Sequence, residues 1–146
     1  MSLNRKSLGW LAIVFLAGLA VGRVLPSAPV AHAQGDRRVF ELRTYTAPEG
    51  KLPELQARFR NHTMRIFNKH NMTSIGYWVP QDAPNSQNTL IYVLAHPSRE
   101  AAKKNWADFQ ADSEWQKVST ESQVNGRIVS KVESVFMDPT DYSPIK

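Results

Sequence analysis

Three residues with reactive side chains alternate along the run VFELRTYT: Glu41, Arg43 and Tyr45, each two positions from the next. A period of two places them on one face of a strand. There a guanidinium can hold a carboxylate or an enolate oxygen through paired N–H donors. The plainer alternative is structural. Lys131 and Glu133 repeat the same spacing near the end of the chain, and cross-strand ion pairs with Glu41 and Arg43 would fix register and the fit of two subunits.

Histidine supplies the other acid–base candidates, since its pKa lies near neutrality. His62 and His70 fall on the inward stripe predicted for the first helix. Their separation of eight residues is not the three or four of a helical metal pair. His62 is central in that helix, so it is the base candidate beside Arg43 and Tyr45. His96 ends an apolar strand, where it could project toward a cavity mouth or serve as a cap. His96, Glu41, Tyr77, Trp78 and Tyr92 form the candidate ligand-binding set, against the alternative that the large aromatics are core or interface. A haem would need an axial histidine in an apolar pocket, and nothing in the sequence selects one, so no cofactor is expected.

Several chemistries have no residues to carry them. The 146-residue chain has no cysteine, which removes disulfides, thiol catalysis and zinc–thiolate sites. It has no Gly-rich phosphate loop, acidic metal cluster or serine nucleophile motif.

The elements that must position these side chains follow from periodicity and punctuation. Strands are predicted at Val39–Thr46, over MTSIGYWVP, at Thr89–His96 and at Arg127–Asp138. A helix with Pro53 in its first turn carries Leu55, Phe59, His62, Ile66 and His70 inward, with Arg58, Arg60, Arg65 and Lys69 off the stripe. It should stop at His70-Asn71. Ser98 caps a second helix, with Ala102, Trp106 and Phe109 on one stripe, and Asp112 or Ser113 recaps it with Trp115 and Val118 inward. Gly126 marks a turn.

Residues 1–33 read as a leader rather than as part of this domain. Asn4-Arg5-Lys6 precedes an uncharged run from Leu8 to Val21, and Ala31-His32-Ala33 fits a small-x-small cleavage site. The run would make about 21 Å of helix, short of the roughly 30 Å of a bilayer core. A cleavable export signal ending at Ala33 is therefore expected, placing the protein in the periplasm or outside the cell with no stable membrane span. An uncleaved anchor is the alternative. The leader holds Arg5, Lys6 and Arg23 and no acid, so 15 of the 18 basic residues remain against 13 acidic ones, a net of +2. That near-neutral charge gives no reason to expect nucleic acid as a partner.

After a polar lead-in at 34–38, residues 39–138 give the order β-α-β-β-α-β, an α+β ferredoxin-like plan with two helices on one face of an antiparallel sheet. Residues 139–146 form an irregular tail. The second and third strands are apolar or aromatic on both faces, yet the chain is too short for a third layer. A second copy pressed sheet to sheet, forming a dimeric α+β barrel, would supply the missing cover.

The stretches FELRTYTAPEGKLPELQARF, GYWV and ADFQADSEWQKV resemble the NIPSNAP family across residues 39–137. The matching positions are Phe40 to Tyr45, Gly50-Lys51-Leu52, Gly76-Tyr77-Trp78 and Asp112-Ser113-Glu114-Trp115, with Ser113 in place of the usual Pro. The resemblance implies a dimeric α+β barrel of poorly defined activity. The wider barrel superfamily includes cofactor-free monooxygenases, isomerases, haem peroxidases and chlorite dismutases, so fold is a poor guide to chemistry. Animal members look like mitochondrial proteins with roles in mitophagy signalling, and an exported copy departs from that location.

The reading that results is an exported homodimer that binds a small apolar or aromatic molecule, or an envelope protein partner. The alternative is a cofactor-independent oxygenase or isomerase using Arg43 as anion anchor and His62 as base.

Overall fold

The computed structural model describes residues 38–146. The expected leader, the expected cleavage site after Ala33 and most of the lead-in lie outside the described residues. Strands β1 (Val39–Thr46), β2 (Thr73–Trp78), β3 (Thr89–His96) and β4 (Lys131–Met137) form one antiparallel sheet in the order β2-β3-β1-β4. Helices α1 (Leu52–Arg58), α2 (Met64–Lys69), α3 (Arg99–Ala111) and α4 (Ser113–Glu121) complete an α+β ferredoxin-like domain. The predicted order and strand neighbours are those observed.

Local chemistry sets most of the boundaries. Asn71 ends the first helical segment with φ 57°, a conformation Asn tolerates better than most residues. Gly126 turns at φ 104°, which a side chain would resist. The Ser98 hydroxyl accepts from the Ala101 amide at 3.1 Å. The Asp112 carboxylate accepts from the amides of Glu114 and Trp115 at 2.8 and 3.4 Å, and Asp112 also receives His70 Nε2–H at 2.6 Å and Lys69 at 2.7 Å. The fourth strand is shorter than its sequence suggested. Ile128 is fully buried just before it, so its apolar pattern belongs to packing outside the ladder.

The core lies between the sheet and the helices. Leu55, Ile66, Phe67, Leu90, Tyr92, Leu94 and Phe109 are buried there. Aromatic rings knit the layer: Phe59 meets Tyr45, Tyr77 and Tyr92 with centroids 5.1 to 5.8 Å apart. Such tilted and edge-on pairs suit ring quadrupoles.

Two local insertions re-aim side chains. Phe59–Thr63 winds as a π-helical turn between α1 and α2. Its wider winding turns Phe67 inward and His62 outward. His62 is therefore exposed rather than on the inward stripe, and Arg58, expected off that stripe, is buried. In β2, a register shift between Ser74 and Gly76 leaves Ile75 without a ladder position. Tyr77 then pairs with Tyr92 on the helix side, whereas Ile75 lines a cleft with Phe40, Val93 and Trp78. A bulge of this kind overrides strict alternation.

The helix-free face carries Leu42, Ile91, Val93 and Val135, with Trp78 and Val135 about half exposed at 51% and 54%. The irregular tail runs beside Phe40 and Met137 at one end of this face.

Candidate functional site

Glu41 is the hub of a buried polar network. It lies on the helix side of β1, with only 1% of its surface exposed. Arg43 Nη1 and Ser134 Oγ each donate to Glu41 Oε1 at 2.7 Å. Trp106 Nε1 donates to Oε2 at 2.7 Å, and His96 Nε2–H donates to the same oxygen at 3.1 Å. Four donors thus converge from β1, β4, α3 and the end of β3. Burial by itself would raise the carboxyl pKa; the hydrogen bonds from His96, Trp106 and Ser134 and the charge of Arg43 outweigh it and hold it at about 2.

Arg43 is fixed on its other side by aromatics. Its guanidinium sits 4.1 Å above the Trp106 ring and 5.6 Å from that of Tyr45, a desolvated cation–π arrangement. Its Nε has no partner. The expected link from Glu41 and Arg43 to Lys131 and Glu133 is not formed. Register pairs Thr44 with Glu133 and Thr46 with Lys131, which puts that pair on the helix-free face, where it closes on itself at 2.9 Å. Arg43 therefore faces the helices, not the space that a second sheet would enclose.

The three residues expected to act together, Arg43, Tyr45 and His62, do not assemble. Arg43 and Tyr45 lie inside the core layer, whereas His62 lines a cleft between the π turn and α4 with Arg58 and Ser122. His96 is not at a cavity mouth but fully buried, its Nε2–H on Glu41 and its Nδ1 without a partner. A carboxylate that orients an imidazole in this way leaves the second ring nitrogen free as a base, but no nucleophile adjoins it in the network. Among the described residues no cluster of three or more His, Cys, Asp or Glu side chains could hold a metal. Of the described histidines, His96 and His70 have Nε2 committed to Glu41 and Asp112, and His62 stands in a cleft that also holds Glu54, Glu121 and Arg58.

Of the expected ligand-binding residues, Tyr77 and Tyr92 stack on each other at 5.6 Å within the core. Burial raises the pKa of both phenols. Trp78 is the accessible one. Its indole lies over Gly76, where a Cβ would come within 2.5 Å of the ring, and it borders two clefts of about 200 and 380 Å³. The larger cleft is apolar, walled by Phe40, Ile75, Val93, Met137 and Ile145. Another cleft, of about 450 Å³, exposes the rim of the Glu41 network between Arg99, Lys103, Trp106 and Phe136. Ser134, Arg58 and the Glu41 contact of Trp106 were not foreseen. For Arg58 a signal existed, since it follows Leu55 by three residues on one helical face.

The NIPSNAP family profile matches residues 40–144. No curated protein matches the sequence. A NIPSNAP family protein of unknown function from Agrobacterium tumefaciens superposes with a TM-score of 0.66 at 21% identity, covering 75% of this chain and 95% of its own. A second from that organism gives 0.66 at 24% identity, covering 75% and 99%. SnoaB from Streptomyces nogalater, a cofactor-independent oxygenase, shares the fold at a TM-score of 0.51 and 12% identity, covering 75% and 99%. The profile spans the Glu41-Leu42-Arg43 network, the Gly76-Tyr77-Trp78 bulge and both helix caps of the second half. The chain belongs to the NIPSNAP family.

Proposed function

We propose that this NIPSNAP domain is an exported homodimer, joined through its helix-free sheet faces, that binds a small apolar or aromatic molecule beside Trp78. The observation that carries the reading is the row Leu42, Ile91, Val93 and Val135, apolar and on the opposite side of the sheet from a filled core. Apolar area of this kind gains about 25 cal/mol per Å² when covered, and a two-fold copy covers it with its own equivalent. The adjoining cleft between Trp78 and the tail supplies a concave apolar site.

Sedimentation velocity at micromolar concentration, with native mass spectrometry of the protein expressed with its leader, tests the reading. A dimer of chains beginning after Ala33 is expected, and Val93→Lys should reduce it to a monomer. The neutral probe N-phenyl-1-naphthylamine should bind and lose affinity in Trp78→Ala. A stable wild-type monomer would overturn the dimer, and a stoichiometric second protein in its place would identify an envelope partner instead.

The oxygenase alternative draws support from the fold shared with SnoaB and from the free Nδ1 of His96. The geometry supports binding better, because Glu41 and Arg43 are committed to each other and His62 stands apart from both.

A further inference from the structure

Among the described residues two arginines, Arg43 and Arg58, and two carboxylates, Glu41 and Asp112, are largely buried, and Asp112 is taken by Lys69 and His70. Arg43 is matched by Glu41. Arg58, at the end of α1, is only 6% exposed, and no described carboxylate pairs with it. Its guanidinium rests over the Trp115 ring at 5.1 Å. Nη1 makes one long contact, 3.4 Å, to Ser122 Oγ, and Nε has no partner at all. An unmatched guanidinium is costly to bury, and burial pushes this one below the ordinary arginine range.

Arg58 is also reachable. It lines a cleft of about 390 Å³ whose walls include Ala57, Asn61, His62, Val118 and Ser122. Two acidic residues stand at that cleft, Glu54 held by Lys51 at 2.7 Å and Glu121 in an exposed pair with Lys117 at 3.9 Å. The π turn winds Asn61 and His62 outward over the same opening. Such turns recur at functional positions.

We propose that this cleft binds the carboxylate of a small organic acid, with Arg58 as its counter-ion. One uncompensated positive charge calls for a monoanion, and the guanidinium fork matches two carboxylate oxygens. Asn61 and Ser122 offer neutral donors at the edge. Ala57 and Val118 give the organic part an apolar wall. A phosphate dianion would leave one charge unmatched. The site belongs to the helix layer, so it is independent of any pairing through the sheet.

Benzoate, inorganic phosphate and chloride at matched ionic strength are titrated into the purified protein, read by thermal unfolding and by the Arg58 Nε–H signal in ¹⁵N NMR. Benzoate should raise the melting temperature saturably and move that signal. Arg58→Gln should lose the rise, whereas Arg65→Gln, at an exposed arginine paired with Glu114, should keep it. No saturable rise, an equal rise in Arg58→Gln, or a response to phosphate without one to benzoate overturns the proposal. Should Arg58→Gln fail to fold, the wild-type Nε–H signal decides: if it stays still under benzoate, the site is not there.

Discussion

Replacing Glu41 by Gln keeps the shape of the side chain and removes its charge, leaving Arg43 buried against a neutral amide. The size of the loss follows from the carboxyl itself. Its pKa is about 2 in the fold against 4.5 in an open chain, and at 1.36 kcal/mol for each pKa step the difference is worth about 3 kcal/mol at neutral pH. That agrees with the roughly 3–5 kcal/mol lost when one partner of a buried pair is removed. The sign fixes the pH window. Because the folded pKa is depressed, the contribution is fully present above about 4.5 and is lost as pH falls toward 2. Urea unfolding of wild type and Glu41→Gln across this range provides the assay. The gap between them should be about 3 kcal/mol at neutrality and less than half of that by about pH 3. Subtracting the variant removes the other carboxylates, such as Asp112 and Glu114, whose pKa values are also depressed. A gap that is negligible at neutral pH, or that does not narrow in acid, would refute the idea that the four donors act mainly on a charged Glu41.

Three further changes probe the frame around the network. Ile66→Ala empties a fully buried position and should cost about 2–5 kcal/mol in chemical denaturation. Asn71→Val forces a β-branched residue to φ 57°, costing about 1–2 kcal/mol in the same measurement. Gly76→Ala places a methyl in the path of the Trp78 ring, 2.5 Å from its Cη2. The indole should swing away, seen as changed Trp fluorescence and weaker binding of a neutral apolar probe, with little loss of global stability.

Much of the frame is legible because its signals are local. The bounds of β1 and β3, the caps at Ser98 and Asp112 and the stops at Asn71 and Gly126 each depend on a few neighbouring residues. The candidate site was legible only in part. Glu41 and Arg43 stand out as a spaced pair, but their other partners arrive from α3, β3 and β4, and no window of sequence contains them together. The charges of Lys131 and Glu133 misled because complementarity says nothing about face; one position of register decides it. His62 and Arg58 exchanged places because FRNHT has no mark that distinguishes a π turn from an α turn. Ile75 and Tyr77, two positions apart, face opposite sides through a bulge that alternation cannot reveal.

The five-residue turn at Phe59–Thr63 also bears on how the chain tolerates changes of length. A wider turn accommodates one residue more than regular winding needs. Removing Arg60, which is exposed, would let the segment close into an uninterrupted α-helix while the residues on either side keep their bearings toward the sheet. Deletions are usually expected to be harmless in loops and ruinous within helices. Here the middle of a helix should tolerate the loss of one residue.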